Sequence, residues 1–277
     1  MIDQFAPVDY SHPHLRDCEL LLKALPTLRG DYFYDLSTHG RNGTLTNMDP
    51  ATDWVPSQRG IVLDLDGVND YVTTNNAFAD LWDDANTELT VSAYARFDAV
   101  NINQIMLSKY NSQSTPVGLF YLAAISAKVR VFVSNAGYND YEWWDTDANC
   151  LSAGQWHHIM ASVDLATQTA TIEVDGVERA STKTTAGTVP TTLRSSATAV
   201  GAGAIKVANG SLSSLMNGQL DDLRIYSRVL TAEERRDIYL DTLGMRYSWI
   251  PRVGAGLPVM SYYQSPTAFV PQIIWYN

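Results

Sequence analysis

"QWHHIMASVDLATQTATIEVDGVERAST" occupies residues 155–182, and its reading decides the fold. Two runs alternate apolar and polar side chains, Trp156–Val163 and Ala170–Val174, with "DLATQT" (164–169) between them. A period of two belongs to strands that bury one face. A second reversal falls at Asp175-Gly176, because Asp-Gly suits the type I′ turn, which needs positive φ at both central residues. The spacing therefore predicts a chain that doubles back twice, with Val177 and Arg179 on the last strand.

The same stretch raises a question of chemistry. "EVDGVE" (173–178) carries three carboxylates within one short segment. On one extended strand beside a groove, two of them could flank a glycosidic bond at separations of ~5–9 Å. The turn removes that possibility, since Asp175 sits at its tip and Glu178 lies on the returning strand. No catalytic residue is expected among Glu173, Asp175 and Glu178. His157 and His158 are adjacent on a strand, so they point to opposite faces and cannot chelate one ion together. One is expected inward and satisfied, the other outward.

Outside this stretch the alternation continues. "LTVSAYARF" puts Leu89, Val91, Ala93, Ala95 and Phe97 on one face, and "KVRVFVS" does so with Val129, Val131 and Val133. "IMLSKY", "VGLFYLAA", "TAVGAG" and "LDDLRIY" read similarly, giving about a dozen strands at the turn spacing of a sandwich. The clearest helix is late: Thr231 and Glu234 in "TAEERRDIY" have capping-box spacing, with Leu230 and Ile238 free to face the core. In "HLRDCELLLKAL", Leu15, Cys18, Leu22 and Leu25 fit a helical period, while "CELLLKAL" also reads as a strand.

Composition narrows the function. Hydrophobic residues make up 45% and charged residues 18% of 277, which suits one large globular unit. A net charge of −11 repels phosphate backbones, so nucleic acid is not an expected partner. Cys18 and Cys150 stand far apart and form no thiolate zinc motif. No membrane span is expected, and "MIDQFAPVDYSHPH" has no signal-peptide character. No P-loop, Gly-x-Ser-x-Gly, Gly-x-Gly-x-x-Gly or His-Glu-x-x-His occurs.

Two clusters invite binding. "GYNDYEWWDTD" gathers Tyr138, Tyr141, Trp143 and Trp144 among carboxylates and an amide, a mixture that suits sugars, whose C–H faces stack while their hydroxyls hydrogen-bond. Trp143 and Trp144 must diverge on a strand, one into the core, and edge packing or a subunit contact is the competing reading. After about Leu243 the chain loses periodicity but carries Trp249, Tyr262, Tyr263, Phe269, Trp275 and Tyr276. So many aromatics predict docking, on the sandwich itself or on a neighbouring subunit.

These residues also carry a resemblance. "WHHIMASVDLATQTATIEVDGVE" resembles the Trp-His-hairpin-Asp-Gly segment of laminin-G-like, concanavalin A-like jelly-roll domains. "YDLSTHGRNGTLTNM" (34–48), "GIVLDLDGVNDYV" (60–72), "ELTVSAYARF" (88–97) and "NGQLDDLRIYSRVLTAEERRDIY" (217–239) match it in order. The resemblance implies a two-sheet antiparallel β-sandwich and reads "CELLLKAL" as its first strand. It divides the chain into an N-terminal arm (1–17), a jelly-roll domain (18–243) and an extended C-terminal tail (244–277). Some relatives bind calcium, which takes oxygens from loops. Here Asp66, Asn69 and Asp70, joined by Asp221, are the candidate ligands, with Asp64 and Asp222 nearby; the alternative is an ordinary turn.

The resulting expectation is a non-enzymatic structural or interaction protein, a virion surface component such as a capsid decoration or fibre protein, made without a signal peptide. Its partners would be further protein subunits and host-surface glycans. The alternatives are a carbohydrate-binding module and, less favoured, a glycoside hydrolase.

Overall fold

A computed structural model describes residues 13–25, 30–57, 60–110, 120–135, 140–206 and 211–242. Its strands form two large antiparallel sheets. The eight-stranded sheet runs Val177–Arg179, Thr169–Val174, Trp156–Asp164, Glu88–Phe97, Asn217–Tyr226, Gly60–Asp66, Trp54–Ser57, and Cys18–Leu22 pairs with the far end of Asn217–Tyr226. The nine-stranded sheet runs Ser181–Ala186, Tyr141–Thr146, Lys128–Ser134, Phe120–Ile125, Asn103–Lys109, Gly201–Ala202, Tyr71–Thr73, Gly43–Thr46, Tyr32–Phe33. The all-β sandwich is as the alternation implied. The strands beyond the expected dozen are mostly two- or three-residue segments, too short to show a period.

The double hairpin is present. Trp156–Asp164 pairs with Thr169–Val174, which pairs with Val177–Arg179. Asp175 and Gly176 have φ of 56° and 72°, the positive values a type I′ turn demands. Asp175 tolerates this because its carboxylate is engaged locally: Oδ1 accepts from the His158 backbone N–H at 2.9 Å, and Oδ2 meets His157 Nδ1 at 2.7 Å.

The expected core residues Leu89, Val91, Ala93, Ala95, Phe97, Val129, Val131 and Val133 are all at most 1% exposed between the sheets. A second cluster lies on the other face of the eight-stranded sheet. Leu15, Cys18, Leu21, Met160 and Tyr226 pack there against Leu230 and Ile238 of the helical segment. The helix Ala232–Thr242 starts with the expected capping box: Thr231 Oγ1 accepts from the Glu234 N–H at 3.2 Å, and Glu234 Oε2 accepts from the Thr231 N–H at 2.9 Å.

"CELLL" is a strand, preceded by a single 3-10 turn at Pro13–Leu15. It is apolar on both faces because Leu20 and Leu22 face the main core while Cys18 and Leu21 face the second cluster. That two-sided burial produced the apparent helical period. The expectation of one outward histidine needs correction. His158 does point away from the main core, but the helix lies over it, with the Tyr239 ring 5.5 Å away, and only 1% is exposed.

Candidate functional site

Direct pairing fixes which residues share a face. Across the nine-stranded sheet, partners run Lys183, Trp144, Val131, Leu122, Leu107, Ala202, Val72, Leu45. From Trp144 onward this row is buried in the core. One residue along, the row runs Thr184, Trp143, Phe132, Tyr121, Ser108, Gly201, Thr73, Thr44, Tyr32. Successive side chains point to opposite faces, so this second row is the sheet's outer surface.

The outer row is aromatic over three neighbouring strands. Tyr121 and Phe132 stack with centroids 4.6 Å apart and planes within 1°. Trp143 continues the stack at 6.4 Å from Phe132, and Tyr141 stacks on Trp143 at 4.8 Å. Centroids this close with parallel planes cannot lie flat on the sheet, so the rings stand on it and lock one another. Tyr121, Trp143 and Tyr141 remain partly exposed, while Phe132 is buried between them. Tyr110 ends the stack, turned 62° to both Tyr121 and Phe132.

One ion pair flanks the rings. Arg130 donates to both Asp145 oxygens, Nε to Oδ1 and Nη2 to Oδ2, each at 2.6 Å, and its guanidinium lies 4.4 Å from the Trp143 ring centroid. Burial works against the Arg130 charge, but hydrogen bonds to Asp145 and Tyr121 outweigh it and raise its pKa. Burial raises the Tyr121 phenol, with the Arg130 hydrogen bond opposing, so this hydroxyl is neutral near pH 7. Neutral hydroxyls, a charged fork and a carboxylate together offer donors and acceptors beside apolar edges.

Beyond Ser108 the outer row enters a depression of about 190 Å³. Gly201 lines it with Tyr110 and Thr198, and Thr73 and Tyr71 of the next strand line it beyond Gly201.

The sequence candidates separate on this frame. Tyr141 and Trp143 belong to the outer stack. Trp144 does not: it is 4% exposed in the core, with Lys183 Nζ 5.2 Å from its ring. Tyr138 lies outside the described residues, as do Trp249, Tyr262, Tyr263, Phe269, Trp275 and Tyr276. Asp145 was among the carboxylates of the "GYNDYEWWDTD" cluster, whereas Tyr110, Tyr121, Phe132 and Arg130 were not singled out from sequence. Tyr121 and Phe132 were detectable as aromatics at polar-parity positions of "VGLFYLAA" and "KVRVFVS".

The four calcium candidates are not gathered into one site. Asp66 Oδ1 accepts from the Val68 and Asn69 N–H groups at 2.7 and 3.2 Å, and Asp70 Oδ2 accepts from the Asp66 N–H at 3.0 Å, which describes a turn closed by its own carboxylates. Burial raises the Asp66 pKa, but these N–H donors outweigh it and the net direction is down. Asp66 pairs with Asn217, whereas Asp221 pairs with Tyr94 four positions further along the strand, ~13 Å away at ~3.3 Å per residue. Asp221 Oδ1 accepts instead from the Ala24 N–H at 2.9 Å. Asp222 is buried and held by Lys23 at 2.7 Å and by Arg224, and Asp64 pairs across to Gln219. Among the described residues, Glu19, His39 and Asp80 have ligand atoms within 4.8 Å of one another. Arg41 occupies that position, bonding Glu19 Oε2 at 3.1 Å and also Asp80, so a guanidinium already supplies the positive charge.

Among the described residues, carboxylates for hydrolysis are not arranged on the outer face. At its outward strand positions only Asp145 is acidic, and Arg130 engages it. Glu142, on the same strand, points inward, fully buried beside Lys183 at 2.8 Å, where burial raises its pKa. Glu173 pairs with Arg235 beneath the helix. The cysteines are free thiols, Cys18 buried and raised to about 12 by that burial.

A model of the laminin-G-like domains, described as the concanavalin A-like lectin/glucanases superfamily, matches residues 66–234. No curated protein matches the chain in sequence. Among solved structures, the binding domain of botulinum neurotoxin serotype D/C aligns with TM-score 0.58 at 12% identity, over 83% of this chain and 53% of that one. The receptor-binding domain of the mosaic serotype C/D, with tetraethylene glycol bound on its Hcn sub-domain, aligns with TM-score 0.58 at 12% identity, over 82% and 51%. The serotype D ligand-binding domain in complex with N-acetylneuraminic acid gives 0.52 at 11% identity, over 82% and 51%. The chain spans about half the length of these neighbours, and the likeness is one of fold.

Proposed function

This chain belongs to the concanavalin A-like lectin/glucanases superfamily, and from that premise we propose that it is a non-enzymatic carbohydrate-binding module whose glycan lies on the outer face of the nine-stranded sheet. The observation that carries the reading is the standing stack of Tyr121, Phe132, Trp143 and Tyr141 on the outer face of the sheet, where Tyr121, Trp143 and Tyr141 are partly exposed and Phe132 is buried among them. A contiguous apolar patch on an outer sheet face is a feature that calls for an occupant. Because the rings brace one another, little rotamer freedom remains to be lost on binding. Sugar C–H groups would cover the ring edges, while the phenols of Tyr121 and Tyr141 and the Arg130–Asp145 pair meet hydroxyls.

Charge selects among glycans. The chain carries −11 overall, and the one cation among the outward rings is already paired with Asp145. A polyanionic glycan would meet repulsion and no unpaired arginine, so the ligand is a neutral sugar chain. The neighbours bound to tetraethylene glycol and N-acetylneuraminic acid support a binding role for the fold without locating it on this sheet.

A glycan array followed by calorimetry tests the reading. Saturable binding of neutral glycans is expected, lost in Trp143→Ala and Tyr121→Ala at unchanged fold by circular dichroism. Absence of binding across neutral glycans, or binding indifferent to both substitutions, overturns it.

A further inference from the structure

Resting on the reading of this face as a glycan platform, we infer that the module recognises the end of a linear neutral glycan, with the terminal sugar seated in the depression at Gly201 and the following units laid across Tyr121, Phe132 and Trp143.

The register places these features on one line. Trp143, Phe132, Tyr121, Ser108 and Gly201 are successive partners across five strands. Four interstrand steps of ~4.8 Å make the path ~19 Å, the length of several sugar units and not of one. A ligand using the whole path runs perpendicular to the strands.

At Gly201 the floor of the path drops, because that position has no side chain. It cannot acquire one: a Cβ there would stand 2.6 Å from the Val72 carbonyl oxygen. The next strand contributes Thr73 and Tyr71, which line the depression beyond Gly201. Residues 197–199, Ala204 and Leu212 also line it. The depression is open, and its volume of about 190 Å³ falls below the ~300–1,000 Å³ of pockets for drug-sized ligands, which suits one sugar ring. Tyr71, Thr73, Ser108, Tyr110 and Thr198 line it with hydroxyls, of which Ser108 Oγ already donates to the Ala204 carbonyl at 2.9 Å and Thr198 Oγ1 accepts from Ser196 Oγ at 3.1 Å. Tyr110 belongs to both parts, lining the depression and meeting Tyr121 at 5.9 Å.

The lining at 197–199 is held from beneath. Lys109, next to Ser108 on the strand, is fully buried and donates to the carbonyls of Ala77 at 2.7 Å, Ser196 at 3.1 Å and Thr198 at 2.5 Å. An ammonium with three carbonyl acceptors fixes this wall independently of any ligand, so the depression is preformed.

The test uses laminari-, cello- and manno-oligosaccharides from disaccharide to hexasaccharide, with the matching polysaccharides, on the whole protein by calorimetry. Oligosaccharides blocked with a bulky group at one end are compared with those blocked at the other. Blocking one particular end is expected to weaken binding about tenfold while the other is tolerated, and Ala199→Trp, which fills the depression, is expected to weaken free-ended oligosaccharides by a similar factor. If the variant does not fold, the end-blocked probes decide on the wild-type protein. If blocking either end is harmless and long polymers bind per unit as tightly as oligosaccharides, while Trp143→Ala still abolishes binding, end recognition is wrong and the platform stands. If no probe binds, both readings fall.

Discussion

Glu173 lies directly opposite Glu178 across the second hairpin, yet it is Arg235 of the helix that holds its carboxylate, Nε to Oε1 at 2.7 Å. The acidic cluster that suggested hydrolysis is thereby divided: Asp175 orders the turn, Glu173 fastens the helix, and Glu178 sits on the exposed returning strand. Both members of the Glu173–Arg235 pair are nearly buried, so removing one charge strands the other. Glu173→Gln should cost about 2–4 kcal/mol, read as a lower urea midpoint. If glycan binding falls while the midpoint stays unchanged, this carboxylate has a role at the ligand instead.

Gly176 faces the same helix from the turn. A Cβ on it would stand 2.4 Å from the Tyr239 ring, at a φ of 72° that side-chain-bearing residues rarely adopt. Gly176→Ala should destabilise by about 1–3 kcal/mol. In a Tyr239→Ala background the penalty should shrink to the backbone strain alone; equal penalties in both backgrounds would show that the ring is not the obstacle.

Lys109 gives a pH signature. Burial pulls its ammonium down to about 8 from the ordinary 10.5. Between those values the unfolded chain holds the proton and the folded chain does not, so unfolding takes one up and this group's contribution to stability rises with pH. The wild-type Tm, measured relative to Lys109→Met, should therefore improve as the solution passes from 8 to 10.5. A difference that stays flat or falls across that window contradicts the assignment.

Glu234 acts in the opposite sense. Hydrogen bonds from Arg228 at 2.7 and 2.8 Å hold it down to about 2, burial opposing and the Thr231 N–H helping. A carboxylate lowered by folding contributes stability that is complete above its ordinary 4.5 and is lost as pH falls through 2. Wild type should exceed Glu234→Gln in Tm at neutral pH, with the gap closing under acid. Persistence of the full gap at the acid end would mean that the ion pair is not its source.

The hairpin at Asp175-Gly176 and the capping box at Thr231 and Glu234 were legible because each is a local rule between residues one to three positions apart. The platform was legible only in part. Trp143 and Trp144 had to diverge, but nothing within "YEWWDT" says which one faces inward; that parity is fixed by Val131 and Leu122 on the neighbouring strands. Tyr121 and Phe132 meet at 4.6 Å only through long-range register, which no single stretch reveals. His158 could be given a direction but not a covering helix, and the calcium set looked plausible because Asp66 and Asp221 were read as loop residues, whereas Asp221 lies within the strand Asn217–Tyr226 and the sheet sets the two apart.

On the proposed glycan reading, the stack would also act as a molecular ruler. Tyr121, Phe132 and Trp143 stand on neighbouring strands spaced by ~4.8 Å, with ring centroids 4.6 and 6.4 Å apart. Polymers whose repeat is commensurate with that spacing can place equivalent groups over every ring, whereas those with a longer or kinked repeat drift out of phase after one or two units. Linkage geometry, more than the identity of any single monomer, would then be what such a surface discriminates.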